Sequence, residues 1–463
     1  MSNVLSLPDK KFHLIFGAAL SLGAVLYYLS SSIPLGIETK TAALVIATIL
    51  LWSSGLVSEA LTTLIFFTAA VLIRVAPPEI IFSGLGSSAF WMIFSGLIIG
   101  AAIKSSGLSV RIAGQLAKRL GRGRISVLTG ASLFGLFLAF LMPSAMGRVV
   151  LIIPILQDLA ERLGLPSESK EGRGILLAGI LGTALPSTAI LPSNIPNNVL
   201  AGLYENLFHQ QLSYSDYLLF HFPVLGAIKT GLLIALLTSF YRGSFKSVNA
   251  PVFTELSPLA PHERRLILYL TLAIVFWLTD GIHHVSPAWV GLVAAIACLL
   301  PGIGVLPEKA LQSINQEPLF YVSGVIGLGA LISYSGLGHR FAEWLQAVIP
   351  MSPQGGLKNF MSLCGLSTLV GLFTTLPGVP AVLTPLTGQF AEISALPQSL
   401  VLASQVVGFS TLLFPYQSPP LVAALQLSST GRWEMTKICL IVAVLSVFVL
   451  WPLDYVWLSI AQT

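Results

Sequence analysis

Gly182 to Gly202 reads GTALPSTAILPSNIPNNVLAG. The stretch lies inside a long apolar run, yet it holds three prolines, two serines, two threonines and three asparagines. Proline has no backbone donor and its ring clashes with the preceding turn. A helix therefore has to open around Pro186, Pro192 and Pro196. Freed backbone groups are costly in hydrocarbon, and a broken helix persists there only where protein or a watery cavity satisfies it. A second stretch, Ser410 to Pro420 (STLLFPYQSPP), has the same grammar. Setting Pro192 on Pro415 also pairs Ser187-Thr188 with Ser410-Thr411, and Pro196 with Pro419. Two interrupted membrane helices in matching places point to a transporter's binding site.

The composition around these stretches agrees. The chain has 463 residues, 55% hydrophobic and 9% charged, against about 25% charged in soluble domains. Its apolar runs are about twenty residues long, the span of a helix, whereas barrel strands alternate over roughly ten. The fold class is an all-α polytopic membrane protein. The net charge of +5 is to be read by position along the chain and does not indicate nucleic acid. Cys298, Cys364 and Cys439 all lie in apolar segments, which fits packing rather than a metal site or a disulfide. The sequence lacks a His-Glu-x-x-His pair, a CxxC pair and a GxxxxGK[ST] loop. ATP-driven transport is thereby disfavoured, and an intramembrane enzyme, the rival from another class, shows no nucleophile–base pair.

Taken in order, the chain repeats a plan. Helix 1 is read from Phe12 to Ser32 and is retained, for want of a small-residue cleavage site. Spans follow at about 41–57, 59–75 and 88–105. Leu108, Ile112, Leu116 and Leu120 recur every four residues, with Arg111, Lys118 and Arg119 on other faces, as in an interfacial amphipathic helix. Ile125 to Leu163 is apolar but broken by Pro143-Ser144-Ala145-Met146-Gly147-Arg148, which suggests a re-entrant hairpin with two short arms. The first broken helix runs over about 174–204, and another span over about 220–241. Spans at about 265–282, 286–301 and 318–335 open the second half. An amphipathic segment returns as Leu337, Phe341, Leu345 and Val348. A second hairpin, about 357–393, is centred on Thr374 to Pro380, with Pro385 paired to Pro154. The second broken helix, about 397–427, and a last span, about 437–459, complete it. The division is thus residues 1–40 with the extra helix, 41–241 as the first repeat, 242–264 as a cytoplasmic linker and 265–463 as the second repeat. Gly182 and the run from Gly324 to Gly329 are read as close helix packing rather than a phosphate cradle.

Orientation follows from basic residues. Lys104 to Arg124 holds six of them. These, with Arg162, Lys170, Arg173, Arg242, Lys246, Arg264, Arg265, Lys309, Arg432 and Lys437, fall inside if the N-terminus is cytoplasmic. Each repeat then has an odd number of spans, so the halves are inverted and the C-terminus lies outside.

With these residues in view, the chain resembles the divalent-anion:sodium symporter family, within the larger ion transporter superfamily, from about residue 40 to 459. The resemblance implies eleven transmembrane helices plus two re-entrant hairpins in two inverted repeats. It also implies a homodimer in a bacterial inner membrane and elevator-like motion of the hairpins and broken helices. The family carries Ser-Asn-Thr at each hairpin tip, ten residues before a proline. Here Pro154 gives Ser144-Ala145-Met146 and Pro385 gives Thr375-Leu376-Pro377, so one hydroxyl remains at each. Of a Thr-Pro-Pro-Asn-like signature, Asn194-Ile195-Pro196-Asn197 keeps the last two residues. Ser418-Pro419-Pro420-Leu421 keeps a hydroxyl and both prolines.

Half-helix N-termini suit an anion, and unwound carbonyls and hydroxyls suit a dehydrated cation. The expected substrate contacts are Ser144, Arg148, Ser193, Asn194 and Asn197 at one break, and Thr374, Thr375, Gln417 and Ser418 at the other. Sodium, the sole cofactor entertained, would be framed by Ser144, Ser187, Thr188, Ser410 and Thr411. Satisfying the broken backbone is the competing role for each of these side chains. A charge at the depth of Arg148 is expensive and signals a partner. It either pairs with an anionic substrate or takes the place of a sodium ion, making transport exchange-like or proton-linked. A structural salt bridge or snorkelling is the plain alternative, and snorkelling or packing is the reading for Lys229. Glu59, Glu205 and Asp280 lie near span ends, so no carboxylate relay for protons stands out. The expected function is secondary active transport of small anions, organic di- or tricarboxylates ahead of sulfate-type oxyanions. An antiporter or metalloid-anion exporter of the same superfamily is the alternative.

Overall fold

The computed structural model describes residues 36–108, 111, 112, 115, 123–242, 258–340, 343, 351, 352 and 354–461. The expected helix 1 lies outside the described residues, as do Leu116, Leu120, Phe341, Leu345, Val348 and most of the 242–264 linker.

Among the described residues every regular element is helical. The first half runs α1 (Ile37–Ser54), α2 (Glu59–Leu72), α3 (Ser88–Ser106), α4 (Arg124–Leu141), α5 (Ala145–Arg162), α6 (Lys170–Ala184), α7 (Ile195–Phe208) and α8 (Tyr214–Phe240). The second half runs α9 (Pro261–Leu278), α10 (Pro287–Leu299), α11 (Glu317–Tyr334), α12 (Gly356–Phe373), α13 (Gly378–Leu383), α14 (Thr387–Ser394), α15 (Gln398–Phe409), α16 (Pro419–Leu427) and α17 (Arg432–Ala461). Seven of these helices are long and apolar enough to cross a membrane: α1, α3, α4, α8, α11, α12 and α17. Their apolar residues point outward as well as inward. Ile46, Leu50, Val293, Phe373 and Phe448 are all exposed, which in hydrocarbon is the stable arrangement and in water is not.

Both broken helices form where proline placed them. α6 ends at Ala184, two short 3₁₀ turns follow over Pro186–Ala189 and Leu191–Ser193, and α7 restarts with Pro196 in its first turn. In the second half α15 ends at Phe409, a 3₁₀ turn covers Pro415–Gln417, and α16 restarts at Pro419. Proline suits these restarts because its missing donor would be orphaned there anyway.

The hairpins differ from expectation in two respects. The first has arms of 18 residues each, α4 and α5, rather than short ones, and at about 1.5 Å per residue each arm extends some 27 Å. Its bend is confined to Met142–Ser144, where Ser144 caps α5 by accepting from the Gly147 N–H at 3.1 Å. The pairing of Pro154 with Pro385 is also inexact. α5 runs continuously through Pro154, whereas Pro385 sits in a 3₁₀ turn that separates α13 from α14.

The glycines expected to give close packing do so. A Cβ on Gly182 would lie 2.5 Å from the carbonyl oxygen of Ser132, and one on Gly135 would lie 2.5 Å from that of Gly179. α4 and α6 therefore touch backbone to backbone. A Cβ on Gly327 would likewise meet the Ile81 carbonyl at 2.2 Å. The buried side chains form two clusters. The smaller surrounds α11 and takes in α1, α2, one face of α3, Val199 and Leu203 of α7, and Ala381 of α13. The larger holds both hairpins, both broken helices, α8 and α17.

Candidate functional site

The site is built where each hairpin lies against both broken helices. α5 packs on α6 and also on α16, while α13 packs on α7 and also on α15. The two breaks and two tips are thereby drawn toward one central region.

At the first break Arg148 is fully buried. Its Nε donates to Thr183 Oγ1 at 2.8 Å, Nη1 to the Met142 carbonyl at 2.5 Å and to the Ser193 carbonyl at 2.7 Å, and Nη2 to the Thr183 carbonyl at 3.5 Å. One guanidinium thus ties the hairpin tip to both sides of the helix break. The planar fork suits several carbonyls at once. Among the described residues Arg148 has no carboxylate within salt-bridge distance.

The other first-break residues mostly serve backbone. Asn194 caps α7, accepting from the Asn197 N–H at 3.1 Å, and its Nδ2 reaches Ser187 Oγ at 3.4 Å. Asn197 Nδ2 donates to the carbonyls of Ile190 at 2.8 Å and Ser187 at 3.3 Å. Ser187 and Thr188 hydroxyls return to the carbonyls of Ala184 and Leu185. Two buried atoms stand apart: Ser193 Oγ and Asn197 Oδ1 have no hydrogen-bond partner.

At the second break Gln417 does the closing. Its Oε1 accepts from the N–H groups of Leu413 and Phe414, each at 2.9 Å, and its Nε2 donates to the Gly371 carbonyl at 2.8 Å. Its carbonyl accepts from Leu376 N–H at 3.1 Å, tying the break to the second hairpin tip. Ser418 precedes α16 and its carbonyl accepts from Leu421 N–H at 2.9 Å. Thr374 Oγ1 bonds the carbonyls of Val370 and Thr375, and Thr375 Oγ1 meets Tyr321 OH at 2.9 Å. Thr374 and Thr375 line a small cleft with Trp52 and Tyr321.

Of the two readings for Lys229, snorkelling is corrected and packing in the interior holds. Lys229 is 1% exposed. Its Nζ donates to the Ser410 carbonyl at 2.5 Å and approaches Ser410 Oγ at 3.2 Å. It therefore braces the second break as Arg148 braces the first. Ser410 and Thr411 hydroxyls both donate to the Val407 carbonyl, and Trp451 Nε1 donates to Thr411 Oγ1 at 3.0 Å.

Two residues escaped the sequence reading. Asn198, beside the motif-matching Asn197, lines a cleft with Leu191, Ser88, Glu205 and Ser286. Asp454 lies at 0% exposure in α17, with neither carboxylate oxygen hydrogen-bonded. Its signal was an acidic residue inside the apolar run WPLDYVW.

Two proline-opened helices met by two hairpin tips, in an all-helical molecule with an apolar exterior, define a secondary transporter rather than an enzyme. The family model described as "Sodium:sulfate symporter transmembrane region" matches residues 14–461, and the chain belongs to that family. It is an integral membrane anion transporter. A "Membrane protein" of Cupriavidus necator is 24% identical over 443 residues, covering 89% of this chain and 86% of that one. An "L-tartrate/succinate antiporter" of Escherichia coli is 25% identical over 368 residues, covering 73% and 72%. The crystal structure of the Alcanivorax borkumensis YdaH transporter matches with a TM-score of 0.54 at 15% identity, over 82% of this chain and 86% of that one. This last likeness supports the fold.

Proposed function

We propose that this protein exchanges small dicarboxylate-type anions across the membrane without sodium, with sulfate-type oxyanions as the weaker class. The observation that carries the reading is the Arg148 guanidinium. It already fills the carbonyl and hydroxyl donor set of Met142, Thr183 and Ser193 at the first break. Lys229 does the same at Ser410. A dehydrated sodium ion needs such oxygens for itself, and a fixed cation among them opposes its binding.

Exchange follows from tethering the charge. An ion that dissociates leaves an uncharged empty site free to return. A side-chain cation cannot leave, and carrying it uncompensated through a low-dielectric interior is costly. Return is easiest with a second anion bound. Ser193, Asn194, Asn197 and Ser144 on one side, and Thr374, Thr375, Gln417 and Ser418 on the other, supply the polar lining. Arg148 acts on the anion mainly through its field, four of its five N–H donors being engaged. The relative named for tartrate and succinate supports the dicarboxylate class. Inverted repeats over 41–241 and 265–463, elevator-like motion, a homodimer, a cytoplasmic N-terminus and an outer C-terminus belong to the same proposal.

Reconstituted vesicles test it. Labelled succinate should enter only vesicles preloaded with succinate, at equal rates in sodium and choline media. Arg148→Ala should abolish exchange, and Arg148→Lys should restore part of it. Sodium-dependent uptake into unloaded vesicles would overturn the proposal.

A further inference from the structure

Asp454 is the one acidic side chain of the described residues that is wholly buried with both oxygens unpaired. A buried carboxylate without donors is among the most costly groups a protein can hold, and as a neutral acid it costs far less. Its place makes the cost informative. α17 lies against α8, where Trp457 Nε1 donates to the Leu219 carbonyl at 3.0 Å. Each helix widens into a π turn just before its charge: Phe222–Ile228 ends immediately before Lys229, and Ser446–Leu450 ends four residues before Asp454. Such turns are rare and concentrate at functional sites. The C-terminal part of α17 packs on the Phe222–Ile228 turn, so both irregularities share one seam.

The surroundings of Asp454 are sparse. Lys229 is its charged neighbour from α8, yet the two form no ion pair within 4.0 Å, because the ammonium is held by Ser410. From α12 the Cys364 thiol lies in its electrostatic reach, and α17 itself contributes Cys439, beside Lys229. The start of α8 contributes the buried ring of His221, tilted at 59° against Tyr217 with centroids 4.5 Å apart. Lys358 of α12 and Asp216 of α8 are exposed. α15 carries no titratable side chain, and Tyr455 packs on Phe360.

We propose that Asp454 is a proton-binding site that links transport to protons through the second helix break. With the proton bound, the acid is neutral and Lys229 remains on Ser410. When the proton leaves to the open side of the membrane, the carboxylate competes with the Ser410 carbonyl for the ammonium. Lys229 turns toward Asp454, its charge is cancelled, and the brace on the break is released. Trp451, one turn before Asp454, is bonded to Thr411 and couples the same helix to the same break. The charge carried at the second break therefore differs by one between the two protonation states. This inference goes beyond the exchange reading and does not rest on it.

Infrared difference spectroscopy on the purified protein, titrated with acid and without any substrate, tests the site directly. Wild type should show a protonated-carboxyl stretching band that disappears in Asp454→Asn. Asp454→Glu, which keeps an ionisable group should the amide fail to fold, should show that band displaced. In vesicles, the pH profile of succinate flux should lose its dependence in Asp454→Asn and be shifted in Asp454→Glu. An infrared titration identical in wild type, Asp454→Asn and Asp454→Glu would overturn the proposal. So would an unchanged pH profile in both variants, measured where the wild type carries succinate.

Discussion

Ser193 and Asn197 divide the work of the first break between structure and ligand. Asn197 Nδ2 satisfies two buried carbonyls, so Asn197→Ala should cost about 2 kcal/mol, roughly 1 kcal/mol for each hydrogen bond lost. A lowered unfolding midpoint of the detergent-purified protein checks it. Ser193 Oγ makes no hydrogen bond. Ser193→Ala should leave that midpoint unchanged while raising the KM for succinate severalfold. An unchanged KM would remove the hydroxyl from the site. At this scale the sequence was informative about Arg148, because a cation between Val149 and the hairpin proline has no cheap place in hydrocarbon. Its partners were not legible. They are mainly carbonyls of Met142, Thr183 and Ser193, and every residue type supplies a carbonyl. Lys229 sits in an ordinary apolar helix by sequence, and its reach to Ser410, 181 positions away, exists only in the fold. Asp454 was legible by the same rule that flagged Arg148, but it hides between aromatic residues near the end of the last span.

Elements were read best where proline or glycine forced the backbone. Pro196 and Pro419 mark the restarts of both broken helices, while the breaks open two residues before Pro186 and six before Pro415. Pro154 is no symmetry mark: it lies on the exposed stripe of α5 with Met146, Val150 and Asp158, where a helix absorbs one proline, whereas Pro385 follows a short, already bent arm. The polar break Pro143–Arg148 suggests short arms, yet α4 and α5 each run 18 residues within nearly the expected bounds. In fact only three residues bend, and Ser144 restarts the helix at once. The α4–α6 seam gives a paired prediction. Gly182→Ala puts a methyl 2.5 Å from a backbone oxygen that cannot rotate away. It should destabilise by about 1–3 kcal/mol as the helices are forced apart. Gly231→Ala, with nothing within 4 Å, should be neutral or stabilise by about 0.5–1 kcal/mol through helix propensity. Thermal unfolding of both variants separates them, and equal effects would mean the seam yields more easily than its geometry implies.

At the scale of the molecule, two buried clusters divide the chain between a part built on α11 and a part that carries hairpins and breaks. α7 joins them. Val199 and Leu203 insert into the smaller cluster, Glu205 bonds Ser88, and a Cβ at Gly202 would lie 2.7 Å from that of Ala89. This contact is where an elevator-like carrier must slide, whereas a carrier that only opens its hairpin tips would leave it intact. Disulfides need Cβ atoms about 3.5–4.5 Å apart, so cysteines at 89 and 202 should bridge after a shift of roughly 1 Å. Cys298, Cys364 and Cys439 are buried and free, and replacing them by Ala isolates the new pair. Oxidised Ala89→Cys/Gly202→Cys protein in vesicles should exchange no succinate, and reductant should restore exchange. Full exchange with the bridge verified by mass spectrometry would mean that α7 and α3 stay together throughout the cycle. Alternation would then have to be sought in the short bends at Met142–Ser144 and Thr374–Pro377, where few hydrogen bonds would need to change.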